Sequence, residues 1–501
     1  MKTKWICLLV LLAFFCNISA AVGQVRPVRS KTATSNEVRF RKIAVGNNGR
    51  EPRKNRDDKN AVAALKDLGA NVRLNNNGRV VYVNLTVKTG ITDADLQHLK
   101  GLTKLRWLVL SVPISGAGLV HLEELTNLRS LWLGGTQTTD AGLENLKELT
   151  TLQQLTLSST QITDAGLEHL SGLTSLTYLD LGDTKITGTG LEHLKGLTKL
   201  EKLSLRKTQI TDDGLEHLKG LTSLETLNLP RTQITDAGLV HLKGLTSLKR
   251  LDLPWTKITD AGLEHLKGLT NLETLVLKST QITGNGLQHL RTLTTLERLY
   301  LGGTQITDTG LEHLKGLANL RWIGLSYNRI TDAGVERLAK MTGFAGTLHL
   351  NDTKITDGGL EHLKKLTHLQ GLGLWKTQVT DAGLVHLKEL TNLKLLTLGD
   401  TQITDAGLEH LKGLTSLKQL YLGGTKITDA GLVHLKGLTN LDSLTLDNTK
   451  ITDAGLEHLK GLTSLKQLYL GGTKITDAGL ERLKEALPKC RISTKGSYNQ
   501  S

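Results

Sequence analysis

Residues Leu224–Ser247 read LETLNLPRTQITDAGLVHLKGLTS, and this 24-residue phrase returns along most of the chain. Leu224, Leu227 and Leu229 follow L-x-x-L-x-L. The last two alternate as in a strand with one buried face, so the spacing predicts a short strand. Thr235 or Asp236 suits a helix start, where a side-chain oxygen accepts a backbone N–H. Leu239, Leu242 and Leu245 then share one helical face, and Gly244 marks the helix end. A single unit cannot bury so many aliphatic side chains, but stacked copies can, and stability becomes a sum over adjacent interfaces.

Outward from this unit, the Ile place of T-x-I-T-D-A-G-L recurs seventeen times between Ile91 and Ile475, every 24 residues save one step of 23 and one of 25. Residues 91–487 are therefore read as repeats. Residues 61–90 read as a cap and first strand: a helix over Ala61–Leu68, strands at Val72–Leu74 and Val80–Val87, and a turn at Asn75–Gly78 between them. Residues 488–501 read as a closing strand and tail. There Leu487-x-x-Cys490-x-Ile492 echoes L-x-x-L-x-L and puts Cys490 in a core leucine place, where a thiol is inert.

A chain of 501 residues would ordinarily suggest several domains, but here one unit accounts for most of the length. Lys2 and Lys4, the apolar run Trp5–Phe15 and the small Ser19, Ala20 and Ala21 read as a secretion signal over residues 1–23. The run falls short of the roughly 20 residues of a membrane span, so cleavage is favoured over a retained anchor. Export to a secreted, periplasmic or cell-surface location follows. The mature chain then keeps only Cys490 and can form no internal disulfide. Residues 24–60 carry 11 basic and 4 acidic side chains, so the +14 balance is largely a property of this segment. It reads as a basic linker able to rest on an anionic surface, without the marks of a specific nucleic-acid binder.

The repeat resembles the leucine-rich-repeat family, in the type with a T-D-x-G-L turn and a helical outer face, similar to exported bacterial members. The resemblance covers about residues 80–490. It implies an α/β fold: a right-handed solenoid or horseshoe with a parallel sheet on the concave side and short helices on the convex side. Where the family often carries Asn two residues before the Ile, this chain has Thr in fifteen repeats, Asn328 in one and Val112 in another. A Thr ladder can still donate one hydrogen bond per turn.

Fourteen of the 16 histidines fall seven residues after the Ile place. The phase sets them beside core leucines on the outer helix, facing solvent, where splayed turns keep them from the short, convergent bonds a metal needs. No phosphate loop, H-E-x-x-H, G-x-S-x-G or cysteine nucleophile pair is present, so the reading is non-enzymatic, with no cofactor and no metal.

The positions around each L-x-L are expected on the concave face. They collect all five tryptophans after the signal and five of the seven tyrosines: Trp107, Trp132, Trp255, Trp322, Trp375, Tyr178, Tyr300, Tyr327, Tyr421 and Tyr469. Strand propensity explains part of this bias, but aromatics on a rigid sheet are also what binding hot spots are made of. The richest stretch adds Arg298, His349, Asp352 and Lys376 and contains the 25-residue step and the Asn328 exception. The expected role is recognition of a protein or glycan across this face. The alternative is an envelope scaffold without a single site, which fits the identity of residues 403–432 with 451–480 over 30 positions.

Overall fold

A computed structural model describes residues 59–86, 90–341 and 343–495, all within one compact unit. The expected signal, and the basic linker apart from Lys59 and Asn60, lie outside the described residues. Lys59 and Asn60 already belong to the first helix, Lys59–Asp67. That helix leads to a strand, Asn71–Leu74, paired antiparallel with Val80–Leu85. Asn75 Oδ1 accepts from the amides of Asn77 and Arg79 and closes the turn.

From Val80 onward each strand pairs in parallel with the next, giving an open sheet of 19 described strands. In the quoted unit the strand is Thr226–Asn228, with Leu227 between Leu203 and Leu251 on its neighbours. Leu224, Leu227, Leu229, Ile234, Leu239, Leu242, Leu245 and Leu248 are all fully buried. Leucines at steps of three suit a 3-10 helix, which has three residues per turn, better than an α-helix. The chain accordingly makes one α turn, Asp236–Leu239, and continues as 3-10 helix over Val240–Leu242. Two expectations change. Gly244 is absent from the residues of positive φ, so it is no left-handed cap. Cys490 is not in the core leucine place: the last strand is Arg491–Ser493 and Leu468 pairs with Ile492. The final helix, Asp477–Ala486, is a regular ten-residue α-helix whose i, i+4 spacing turns Leu483 and Leu487 inward and delays the strand. Cys490 is left half-buried, and burial pushes its thiol up to about 11.

The T-D-x-G part has an inter-turn cause. Asp212 reaches the following turn and accepts from the Thr235 amide at 2.8 Å and the Thr235 hydroxyl at 2.5 Å. The contact recurs from Asp236 to Thr259 and, in an unbroken series, from Asp308 to Thr331 through Asp453 to Thr476. The carboxylate lies where a Cβ on the next turn's glycine would stand: Gly262 is bare because Asp236 Oδ1 fills that place. Three turns carry Gly116, Gly188 or Gly284 instead of Asp, and there glycine packs on glycine, as a Cβ on Gly142 would stand 3.0 Å from the Gly116 Cα. At Asp453 the Thr476 hydroxyl and amide hold the carboxyl below its ordinary range. At Asp93 burial pushes upward, but hydrogen bonds from Ser115 and Gly118 outweigh it. These two carboxylates stabilise the fold above the normal carboxylate range and do so less as pH falls through their lowered values.

The Thr column is buried but bonds within its own turn: the Thr232 hydroxyl donates to the Leu229 carbonyl at 2.7 Å. Asn328 does more. Its amide donates to Leu301 on the preceding turn at 2.8 Å and to Leu325 at 3.0 Å, and its oxygen accepts from Thr304 and Ile306.

Asp236→Ala is expected to cost about 2 kcal/mol through its charge-assisted bonds, and Gly262→Ala a similar amount through overlap with the carboxylate. Because one removes what the other collides with, the double variant should be more stable than the sum by about 1 kcal/mol or more in denaturant unfolding.

Candidate binding face

Strand register sorts the candidate residues into columns. Trp107, Tyr178, Arg298 and Trp322 occupy the first exposed strand position, and Trp132, Tyr300, His349, Tyr421 and Tyr469 the third. The remaining five stand beyond the strand, in the turn that follows it. Trp255, Tyr327, Asp352 and Lys376 have φ between 50° and 62°, in the left-handed region, and Trp375 immediately precedes one of them. Trp255, Tyr327 and Trp375 thus occupy the columns just past the L-x-L and not the strands themselves. From the strand Ser130–Trp132 to the strand Gln467–Tyr469 the following turn holds one left-handed residue, and the amide there donates onward: Trp255 to the Lys278 carbonyl at 3.0 Å, Tyr327 to Asn351 at 2.8 Å. Gly303, Gly424 and Gly472 meet that need without strain. A bulky Trp or Tyr there costs on the order of 1 kcal/mol, and strain kept in this way is a pointer to use.

The structure brings some candidates together. Tyr300 and Trp322 have ring centroids 5.9 Å apart, and Trp322 and His349 4.6 Å. Asp352 pairs with Lys376 at 2.9 Å, and the Lys376 ammonium stands 5.5 Å from the Trp375 ring centre. Arg298 bonds the Thr274 hydroxyl at 3.2 Å and pairs with Glu297 at 3.4 Å. Farther along, Tyr421 and Tyr469 flank Thr445 on alternate strands. Toward the N-terminal end, Trp132 donates to the Ser130 hydroxyl at 3.0 Å, and burial beside Asp180 pushes the Tyr178 hydroxyl up to about 12. Trp107, Trp132, Trp255 and Tyr327 are the exposed aromatics, at 41–51%. The others are half-buried.

Three contributors escape a search for aromatic residues. Arg231 covers the Trp255 ring at 4.7 Å. Arg250 holds Asp252 through two nitrogens at 3.0 Å, while burial keeps that carboxyl above its usual range. Lys278 points its ammonium at the Tyr300 ring, 5.9 Å from the centroid, and burial lowers its affinity for a proton. All three lie in the same columns as the aromatics, so a census of charge by column would have found them.

His349 is a half-buried titratable group of the face. Its Nε2 is covered and unpartnered, and burial, with Lys278 adding, drives its pKa down to about 4. The outer histidines also differ from expectation: they are half-buried between turns, and the Nδ1 atoms of His217, His241, His265 and His410 are covered without a partner. At His265 burial, then Lys243, lowers the pKa. Among the described residues no three His, Cys, Asp or Glu side chains converge as a metal site.

Profiles described as leucine rich repeat match residues 179–234, 198–258 and 270–330, and 148–171 and 461–484; a two-copy profile matches 415–461. The chain belongs to the leucine-rich-repeat family. No curated protein matches it by sequence. Solved structures that it resembles include the internalin inlF of Listeria monocytogenes, at 27% identity over 72% of this chain and 89% of that one, with a TM-score of 0.38. A leucine-rich-repeat protein of Leptospira interrogans is 22% identical over 74% and 91%, with 0.48. The TLR13–ssRNA13 complex is 21% identical over 78% and 66%, with 0.51. The last of the three supports the fold and nothing finer.

The unfolded chain protonates His349 near the ordinary 6.5, before the folded chain does near 4, so its burial favours folding above pH 6.5 and ceases to as pH falls toward 4. His349→Leu should lower the midpoint of acid unfolding by about half a pH unit or more relative to the unaltered protein, followed by tryptophan fluorescence.

Proposed function

We propose that this chain is an exported recognition protein that binds an extracellular or periplasmic protein, or a glycan, across the aromatic face of its sheet. The fold is one of binding scaffolds, and the catalytic motifs searched for in the sequence are absent. One observation carries the reading: Tyr300, Trp322 and His349, on three consecutive strands, stack into a platform beside the left-handed Tyr327. Rigid strands present such rings at small entropic cost, and central aromatics dominate binding energy. Among the described residues no helix is long and apolar enough to cross a membrane; export rests on the signal-like residues 1–23.

The identity of residues 403–432 with 451–480 favours a second reading, a scaffold of the cell envelope in which length matters more than any site. Affinity capture from envelope and secreted extract separates the two. The chain is used beside a variant carrying Trp322→Ala, Tyr327→Ala and Trp375→Ala. The expected result is a specific species held by the unaltered chain and lost, by a factor of about 100 or more for three hot-spot truncations, from a variant with unchanged circular dichroism. Equal capture by both would overturn the recognition reading and favour the scaffold.

A further inference from the structure

The exposed columns between Thr274 and Asn351 contain no carboxylate. They present Lys278, Arg298, Tyr300, Trp322, Tyr327 and His349, with Gly302, Gly303 and Gly324 leaving the floor bare between them. The nearest acids in these columns are already neutralised, Asp252 by Arg250 at 3.0 Å and Asp352 by Lys376 at 2.9 Å. Arg298 is satisfied by Glu297 from beside the strand. Among the described residues Lys278 has no carboxylate partner. Lys278 crosses the bare Gly302 toward the Tyr300 ring, and its charge reaches His349.

An ammonium held over an aromatic ring without a counter-ion, beside a covered imidazole nitrogen that also lacks a partner, is half of an ion pair. From this basin we infer that the ligand of the aromatic face is a peptide segment bearing carboxylate side chains, one of which pairs with Lys278 between Tyr300 and Trp322. The spacing favours a peptide over a sulfated glycan or nucleic acid. Those carry charge on nearly every unit, while this face offers one unmatched cation, Lys278, among ring faces, which suits carboxylates spaced by apolar side chains. Burial lowers the proton affinity of Lys278, as expected for an ammonium awaiting an anion.

This inference rests on the proposed role of the aromatic face, but it is tested separately. Calorimetric titration of the full chain uses an end-blocked octapeptide of alternating Leu and Glu, with its Leu-Gln counterpart and heparin as comparison probes. The expected result is salt-sensitive binding of the Leu-Glu peptide and none of the Leu-Gln peptide. Lys278→Met should weaken it about tenfold, Lys278→Arg should restore it to within about threefold, and Lys207→Met, elsewhere on the face, should leave it unchanged. Binding that survives Lys278→Met would place the contact elsewhere, including the basic segment 24–60, and overturn the inference. So would heparin binding that depends equally on Lys278, which would mark a general polyanion site. Failure of the Leu-Glu peptide to bind, with specific capture still lost in the Trp322, Tyr327 and Trp375 variant, would sink the acidic ligand and leave the aromatic face standing.

Discussion

The structure depends on one carboxylate reaching from most turns to the next. Asp236 accepts two hydrogen bonds from Thr259 and occupies the space that a side chain on Gly262 would need. Three letters of the repeat are thereby explained together, because none works alone. Thr supplies the donors, Asp the acceptor, and Gly the room for the turns to approach. The aliphatic core supplies the driving force, but it is nearly uniform along the axis and would tolerate slippage. The polar ladder fixes how one turn sits on the next, since a misaligned turn would leave a part-buried carboxylate without its donors.

With registry held on the helical side, the sheet face is free of structural duties. Its side chains point away from the core, and their backbone is fixed by neighbours on both sides. Aromatic rings can then vary from turn to turn without disturbing the fold. Even the left-handed turn position, which glycine would fill most cheaply, holds Trp255 and Tyr327. A surface built this way is preorganised, because its strands are rigid before any partner arrives.

Much of this was legible in the sequence. The repeat period, the parallel strands and the core leucines follow from periodicity, since one unit cannot fold unaided. The placement of the aromatics near one face was legible from their phase. Three features were not. The left-handed turn at Trp255 and Tyr327 is hidden because a Trp or Tyr normally argues against positive φ. The cross-turn role of Asp236 is hidden because Asp before a helix reads equally well as a cap. Cys490 was misplaced because the last helix lengthens from 3-10 to α geometry, which shifts the strand by two residues relative to the leucine pattern.

The glycine substitutions in the ladder also set where the array can come apart. From Asp308 to Asp453 seven carboxylates follow without interruption, whereas Gly116, Gly188 and Gly284 each remove one rung. In a nearest-neighbour array a weak coupling is a boundary between blocks that melt together. The chain is thus divided into segments of unequal length, with the longest block at the C-terminal end and the shorter ones before it. The aromatic platform lies just past Gly284, near such a boundary. Fraying of the shorter blocks can therefore proceed toward it from one side, while the long block clamps it from the other.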